Sequence, residues 1–286
     1  VRYCQICGCD TQHENLYKVN SYQVAKCREC GIGRVMVDDF DPSKVYDESY
    51  FTGAHEEAYT DYLGSKKTIA REFAKTARFV HSVSPTSGTL FEVGCAYGFF
   101  LEQASKYYDV YGAEVVKKAV QYCHQQSLDG VHHGSVTHEV MEKVGEIDVC
   151  VMLDVIEHID NVEEVFELIC DKLRPGGSMV ITTGDWDSLI AKLCGPRWRL
   201  MAPPFHLWYF TPSSLIRLGE RFGLEMVDCS HPWKIVPIEL IVKQAGSMAG
   251  LKNEITLPEG INKLGLPANL GDAMRIVLRK KDKIEN

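Results

Sequence analysis

The chain has 286 residues, 45% of them hydrophobic, which suits one large domain, or a domain with a small module, around an ample core. Its formal net charge of -8 disfavours a bulk polyanion, so DNA and RNA are not expected partners. No apolar run reaches membrane-spanning length, and the N-terminus has no charged start followed by an apolar block. The expectation is a cytoplasmic protein with no membrane partner.

Two cysteine pairs open the chain. Cys4-Gln-Ile-Cys7 and Cys27-Arg-Glu-Cys30 are separated by 19 residues, and a glycine (Gly8, Gly31) follows each. Two such knuckles set four thiolates for tetrahedral coordination of one Zn²⁺, with the glycines allowing a tight turn beside the metal. Redox C-x-x-C motifs and an iron–sulfur site are the other readings of the spacing, and Cys9 is a further candidate ligand. Four sulfurs close a coordination sphere, so the metal is expected to be structural. The eleven cysteines are an odd number and no secretory signal is evident, which argues against a disulfide framework. Residues 1–40 carry five Lys/Arg and five Asp/Glu, a poor balance for holding phosphates. The domain reading is a zinc ribbon over 1–36, a connecting segment over 37–65 and a main domain over 66–286.

From Lys66 the pattern becomes helical, with Ile69, Phe73, Ala77 and Val80 on one face, and "SPTSG" at 84–88 ends it. The chain then alternates. Strands are expected at 89–93, 109–114, 147–153 and 178–183, with a shorter candidate at 130–133. Val162, Val165, Phe166, Ile169 and Leu173 form a helical stripe, with Asp160 as its expected cap and Glu163 three residues on. "RPGG" at 174–177 should turn the chain into the next strand. Thr211 and Pro212 read as a helix start and Gly223 as its stop. Strands are expected again at 224–229 and 273–281, with a helix at 238–248. Strand–helix alternation predicts a doubly wound, mostly parallel α/β sheet.

The first strand runs into Gly94-Cys95-Ala96-Tyr97-Gly98, with Glu92 just before it. Glu114 ends the next strand, where an acid can hydrogen-bond both hydroxyls of a ribose. The loop lacks the middle glycine of a dinucleotide fingerprint, and Glu92 would repel a pyrophosphate but suit an ammonium group. "EVGCAYG", "YGAEVVKKAV", "IDVCVMLDVIEHIDN" and "LRPGGSMVITT", in that order and spacing, resemble the motifs of class I S-adenosylmethionine-dependent methyltransferases over residues 66–281. The resemblance implies a Rossmann-like seven-stranded sheet with a reversed last strand. It implies S-adenosylmethionine held by Glu92, Gly94, Cys95, Ala96, Gly98 and Glu114, with Ser135 near the adenine and Asp154 at the carboxyl edge. "YDESYF" resembles a segment between ribbon and catalytic domain in bacterial methyltransferases of sugar and glycan pathways. There Tyr46, Tyr50 and Phe51 would cover the cofactor; packing on the core is the other reading.

Methyl transfer often requires a base. His158, in "DVIEHID", and His206, in a segment resembling the family's "HL-x-x-FT", are the candidates. Either could instead brace its loop. Trp198, Phe205, Trp208 and Tyr209 suit an aromatic acceptor pocket or lid, with core beneath a loop as the other reading, and 184–210 and 232–270 read as acceptor-site insertions. The expected activity is methylation of a small hydroxylated acceptor, a sugar or nucleotide sugar, on oxygen; C- or N-methylation is the alternative. A zinc-ribbon RNA methyltransferase and a non-catalytic cofactor-binding protein are readings of another class. A homodimer is the candidate assembly.

Overall fold

The computed structural model describes residues 1–37, 63, 66–238, 242 and 265–282. Tyr46, Tyr50 and Phe51 therefore lie outside the described residues, as does most of the helix expected at 238–248. No helix among the described residues is long and apolar enough to cross a membrane.

The cysteine-rich start is built from β1 (Arg2–Cys4), β2 (Cys9–Thr11), β3 (His13–Val19), β4 (Tyr22–Cys27) and β5 (Gly33–Val35). Strands β1 and β2 pair across the first knuckle, while β3, β4 and β5 form an antiparallel sheet around the second.

The main domain begins with α1 (Lys66–Val83), β6 (Thr89–Val93), α2 (Phe99–Ala104), β7 (Asp109–Glu114), α3 (Lys117–Gln125), β8 (Val131–His133), α4 (His138–Val144) and β9 (Ile147–Leu153). A short 3₁₀ turn (Ile156–His158), α5 (Val162–Lys172), β10 (Leu173–Gly184) and α6 (Leu189–Cys194) follow. After β11 (Trp208–Tyr209) come α7 (Pro212–Arg221), β12 (Leu224–Ser230), β13 (Lys234–Pro237), β14 (Gly265–Ala268) and β15 (Ala273–Lys280). The seven-stranded sheet has the order β12-β15-β10-β9-β6-β7-β8. Strands β10, β9, β6, β7 and β8 are parallel, and β15 runs antiparallel to both β10 and β12. This is the Rossmann-like sheet with the reversed last strand that the motif order implied.

Alternate strand residues enter two separate cores, as the period of two demands. Phe91, Cys150, Met152 and Ile181 pack with Val165, Phe166 and Leu218 on one face. Leu90, Val149, Val151 and Val180 pack with Ala77, Val80 and Leu101 on the other.

Two boundaries move from their expected places. Asn161, not Asp160, caps α5, its side chain accepting from the Glu164 N–H at 3.4 Å. The "RPGG" stretch lies within β10, where the register with β9 shifts between Leu173 and Ser178 and Gly176 takes φ +73°. Thr211 and Pro212 start α7 as expected, with Ser214 completing a capping box.

The ribbon is joined to the main domain by backbone pairing. Strand β11 adds to the edge of β5, Trp208 opposite Arg34 and Tyr209 opposite Gly33. The expected insertion at 184–210 thus completes the ribbon sheet, and the one at 232–270 contributes the antiparallel β13–β14 pair.

Candidate active site

Chain order reverses direction at β6: β7 and β8 lie to one side, β9 and β10 to the other. Ligands of open α/β sheets bind at such a switch point, outside the carboxyl ends of the strands. A cavity of about 430 Å³ occupies that position. Its walls are Glu92 to Ala96 after β6, Glu114 to Val116 after β7, Gly134 to Val136 after β8, and Leu153 to Val155 with His158 after β9.

The loop after β6 makes room by conformation. Gly94, Ala96 and Gly98 have φ of +66°, +46° and +72°. A Cβ at Gly94 would lie 2.8 Å from Val155 Cγ2, so glycine is required there on two counts. Ala96 carries its methyl into the left-handed region, and its N–H donates to Glu114 Oε2 at 2.9 Å. Gly98 does not line the cavity; a Cβ there would meet Leu128 and Cys123, so it serves the close packing of α2's start. Cys95 lines the cavity while its sulfur lies beside Gly112.

Two buried acids sit on this wall. Glu114 accepts from the N–H groups of Ala96 and Val116, at 2.9 and 2.8 Å. Burial raises its pKa, and these backbone donors pull the other way. Glu92 is only 3% exposed, and its Oε2 has no hydrogen-bond partner among the described residues. Burial holds its carboxyl well above the usual range, with Cys123 and Glu114 adding to the effect. A buried carboxylate on a cavity wall with an unpartnered oxygen wants a cationic or hydrogen-bonding ligand. An ammonium group would suit Glu92 and a pair of ribose hydroxyls would suit Glu114, the two contacts expected of S-adenosylmethionine. Ser135 and Asp154 also line the cavity; Asp154 accepts from the Thr182 hydroxyl at 3.0 Å.

His158 lines the cavity beside Ile159 and Asp160. Its Nδ1 lies 2.8 Å from the Phe205 carbonyl, an acceptor only, so Nδ1 carries the hydrogen and Nε2 keeps the lone pair. His206 is set the same way, Nδ1 donating to the Leu200 carbonyl at 2.8 Å. The two rings meet edge to face, 4.8 Å between centroids. Burial lowers the pKa of His158. For His206, burial first and then the neighbouring His158 push it down to about 3. His158 lines the cavity; His206 lies behind it, against a small pocket of about 10 Å³, the size of about one water.

Glu157, which the sequence reading passed over, joins them. Glu157, His158 and His206 each bring a ligand atom within 4.8 Å of the others, a set that can take a metal cation. Only the adjacency of Glu157 to His158 hinted at this; the 49-residue step to His206 is tertiary.

The aromatic acceptor pocket is corrected. Trp198, Trp208 and Tyr209 are each 3% exposed or less and line no part of the large cavity. Trp198 Nε1 donates to Asp272 Oδ2 at 3.0 Å and Trp208 Nε1 to the Ile159 carbonyl at 2.7 Å, while Tyr209 packs on Trp186. The two indole donors have partners, and all three rings are packed in the core around the small pocket beside His206 and Glu157. Phe205 serves through its carbonyl, on His158.

The four N-terminal cysteines do converge. Cys4, Cys7, Cys27 and Cys30 bring their sulfurs within 4.8 Å of one another, with Cys4–Cys30 at 3.7 Å and Cys7–Cys27 at 4.0 Å. A tetrahedral Zn²⁺ with Zn–S near 2.3 Å implies sulfur pairs roughly 3.8 Å apart. Gly8 and Gly31 have φ of +68° and +76°, and their N–H groups donate to Cys4 and Cys27 carbonyls. Cys9 is exposed and outside the group. The Cys30 thiol draws Cys4 down to about 4, while burial pushes Cys7 up to about 12. Four thiols so close cannot all ionise without a cation among them.

A loop-and-acid cofactor cavity at the switch point of this sheet defines a class I S-adenosylmethionine-dependent methyltransferase. The family model described as "Methyltransferase domain" matches residues 66–228, more than half of the chain, and the chain belongs to that family. Curated relatives agree. The chain is 28% identical over 180 residues to the ubiquinone biosynthesis O-methyltransferase of Cereibacter sphaeroides (strain ATCC 17025 / ATH 2.4.3), a match spanning 59% of this chain and 71% of that one. It is 23% identical over 149 residues to the enzyme of the same name from Cupriavidus pinatubonensis, spanning 48% and 60%. A solved SAM-dependent methyltransferase from Archaeoglobus fulgidus shares the fold at TM-score 0.50 and 17% identity, over 77% of this chain and all of the other.

Proposed function

We propose that the protein methylates an oxygen of a small hydroxylated acceptor with an apolar body, with His158 as the general base. The single observation that carries this is His158 on the cavity wall with its Nδ1 hydrogen committed to the Phe205 carbonyl, which leaves Nε2 as the nitrogen that can accept a proton. When bound, S-adenosylmethionine supplies an electrophilic methyl on its sulfonium. Glu92 would hold the ammonium and Glu114 the ribose, and Gly94 would let the backbone approach. His158 would accept the hydroxyl proton as the acceptor oxygen takes the methyl, the electrons of the broken C–S bond staying on sulfur. Val155, Ile159 and Val165 make the adjoining wall apolar and help exclude water.

The base also speaks to the acceptor. A histidine held below its usual range is a weak base, better matched to a phenol near pKa ~10 than to an aliphatic hydroxyl near water's ~15.7. The relatives' name, an O-methyltransferase of ubiquinone biosynthesis, supports oxygen as the methylated atom. It lends nothing to the sugar acceptor expected from the sequence, and an aromatic hydroxyl is the better-supported class. The test is a panel of catechols, phenols and nucleotide sugars, with methyl incorporation read by mass spectrometry. Labelled phenols and unlabelled sugars support this reading, and the reverse refutes it.

A further inference from the structure

The two cysteine knuckles each grip the segment that follows one of the two histidines. The first knuckle holds the stretch after His158: between its cysteines, Gln5 Nε2 donates to the Asp160 carbonyl at 3.1 Å, and Gln5 Oε1 accepts from the Glu163 N–H at 3.3 Å. Tyr3 donates to the Glu163 carboxylate, and Arg221 ties Glu163 to the Gln5 carbonyl. The second knuckle holds the stretch after His206. Cys27 ends β4, its N–H donates to the Ile32 carbonyl, and the chain then forms β5. From β5, the Val35 N–H donates to the Leu207 carbonyl at 2.9 Å, Trp208 pairs with Arg34, and the Arg34 guanidinium lies over the Trp208 ring at 4.8 Å.

The gripped segments also hold each other. The Leu207 N–H donates to the Glu157 carbonyl at 2.8 Å, and Trp208 Nε1 donates to Ile159. Phe205, which orients the His158 ring, sits two residues before Leu207. No residue of 1–37 lines the cofactor cavity.

We propose that the metal ribbon is a positioning element for the acceptor side of the site, with Arg34 and Gln5 as positioning residues that fix the Phe205–His158 contact, and that it has no part in holding the cofactor. The proposal concerns the same site as the functional reading and rests on His158 mattering there, yet its test reads ring position and needs no acceptor.

The experiment uses the full zinc-loaded chain, its Arg34→Ala, Arg34→Lys and Gln5→Ala variants, and S-adenosylhomocysteine as the cofactor-site probe. Hydrogen exchange by mass spectrometry follows 205–210 and 156–160 against 89–98. ¹⁵N spectra of the histidines report whether His158 keeps its Nδ1 hydrogen. Arg34→Ala is expected to speed exchange in 205–210 and 156–160 by roughly tenfold and to blur the His158 Nδ1–H signature. It should leave 89–98 and the S-adenosylhomocysteine Kd within about twofold. Arg34→Lys, which keeps a cation over the ring, should restore both signals, and Gln5→Ala should loosen 156–160 first. Unchanged exchange at 205–210 in Arg34→Ala overturns the proposal, as does equal loosening of 89–98. If the positional effects appear while a His158 variant keeps full turnover, the positioning stands and the base assignment fails.

Discussion

His158 Nδ1 and the Phe205 carbonyl oxygen are 2.8 Å apart, between residues 47 positions apart in the chain. That contact fixes a tautomer. A neutral imidazole that donates from Nδ1 must accept at Nε2, so the fold has chosen which nitrogen can take a proton.

Replacing His158 with Gln should therefore lower kcat by about 10²- to 10⁴-fold while leaving S-adenosylmethionine affinity nearly unchanged. In the wild type the base works neutral, so activity should rise with pH through the His158 pKa. Burial lowers that pKa, so the acid limb should lie below the ordinary histidine midpoint of about 6.5. Steady-state kinetics across pH on an active acceptor checks both.

His206 bears on stability. Its folded pKa, about 3, lies below the unfolded value, so its contribution is full above about pH 6.5 and is lost as pH falls toward 3. The unfolding free energy of the wild type, read from denaturant titrations, should drop over that window by up to a few kcal/mol. A His206→Gln variant should show a flatter profile there. Parallel profiles would mean that His206 protonates freely in the folded chain.

Glu92→Gln should have opposite effects on stability and binding. Removing an ionisable group whose Oε2 is buried without a hydrogen-bond partner among the described residues should leave the ligand-free protein as stable or more stable. Loss of the charge-assisted contact to the ammonium, worth about 1.5–3 kcal/mol, should weaken S-adenosylmethionine by roughly 10- to 150-fold. Burial raises the Glu92 pKa in the free protein and a bound cation would lower it, so binding should be linked to proton release wherever the two titrations differ. Calorimetry in buffers of different ionisation enthalpy measures that release.

Ala96→Gly should stabilise the chain by about 1 kcal/mol, because Ala96 has φ +46° and only glycine takes that region without a steric cost. Thermal unfolding of the pair checks the sign. Destabilisation would mean that the methyl packs usefully on the cavity wall.

Cys27→Ser should abolish stoichiometric zinc, whereas Cys9→Ser should retain one zinc per chain, since Cys9 stands outside the sulfur group. Metal analysis of the purified variants decides this; iron in the wild type would reassign the site.

Much of this was legible in the sequence because its signals are local. Strands β6, β7 and β9 run over the residues that their apolar patterns marked, and the glycines and acids at their ends mark the cavity. The cysteine spacing brought four sulfurs together. What stayed hidden is tertiary. A two-residue strand such as β11 carries no pattern that could tell its pairing with β5. Composition made Trp198, Trp208 and Tyr209 look like a pocket, but aromatic residues fill cores and pockets alike, and only the partners of the indole N–H groups decide. The shift of the α5 cap from Asp160 to Asn161 is a choice between two adjacent good caps.

The most direct test is a calorimetric titration of the zinc-loaded full chain with S-adenosylmethionine, beside a Glu114→Ala variant. One equivalent should bind the wild type, and binding should be lost or greatly weakened in the variant, whose loop also loses the acceptor for the Ala96 and Val116 N–H groups. A folded wild-type protein that takes up no S-adenosylmethionine would contradict the account.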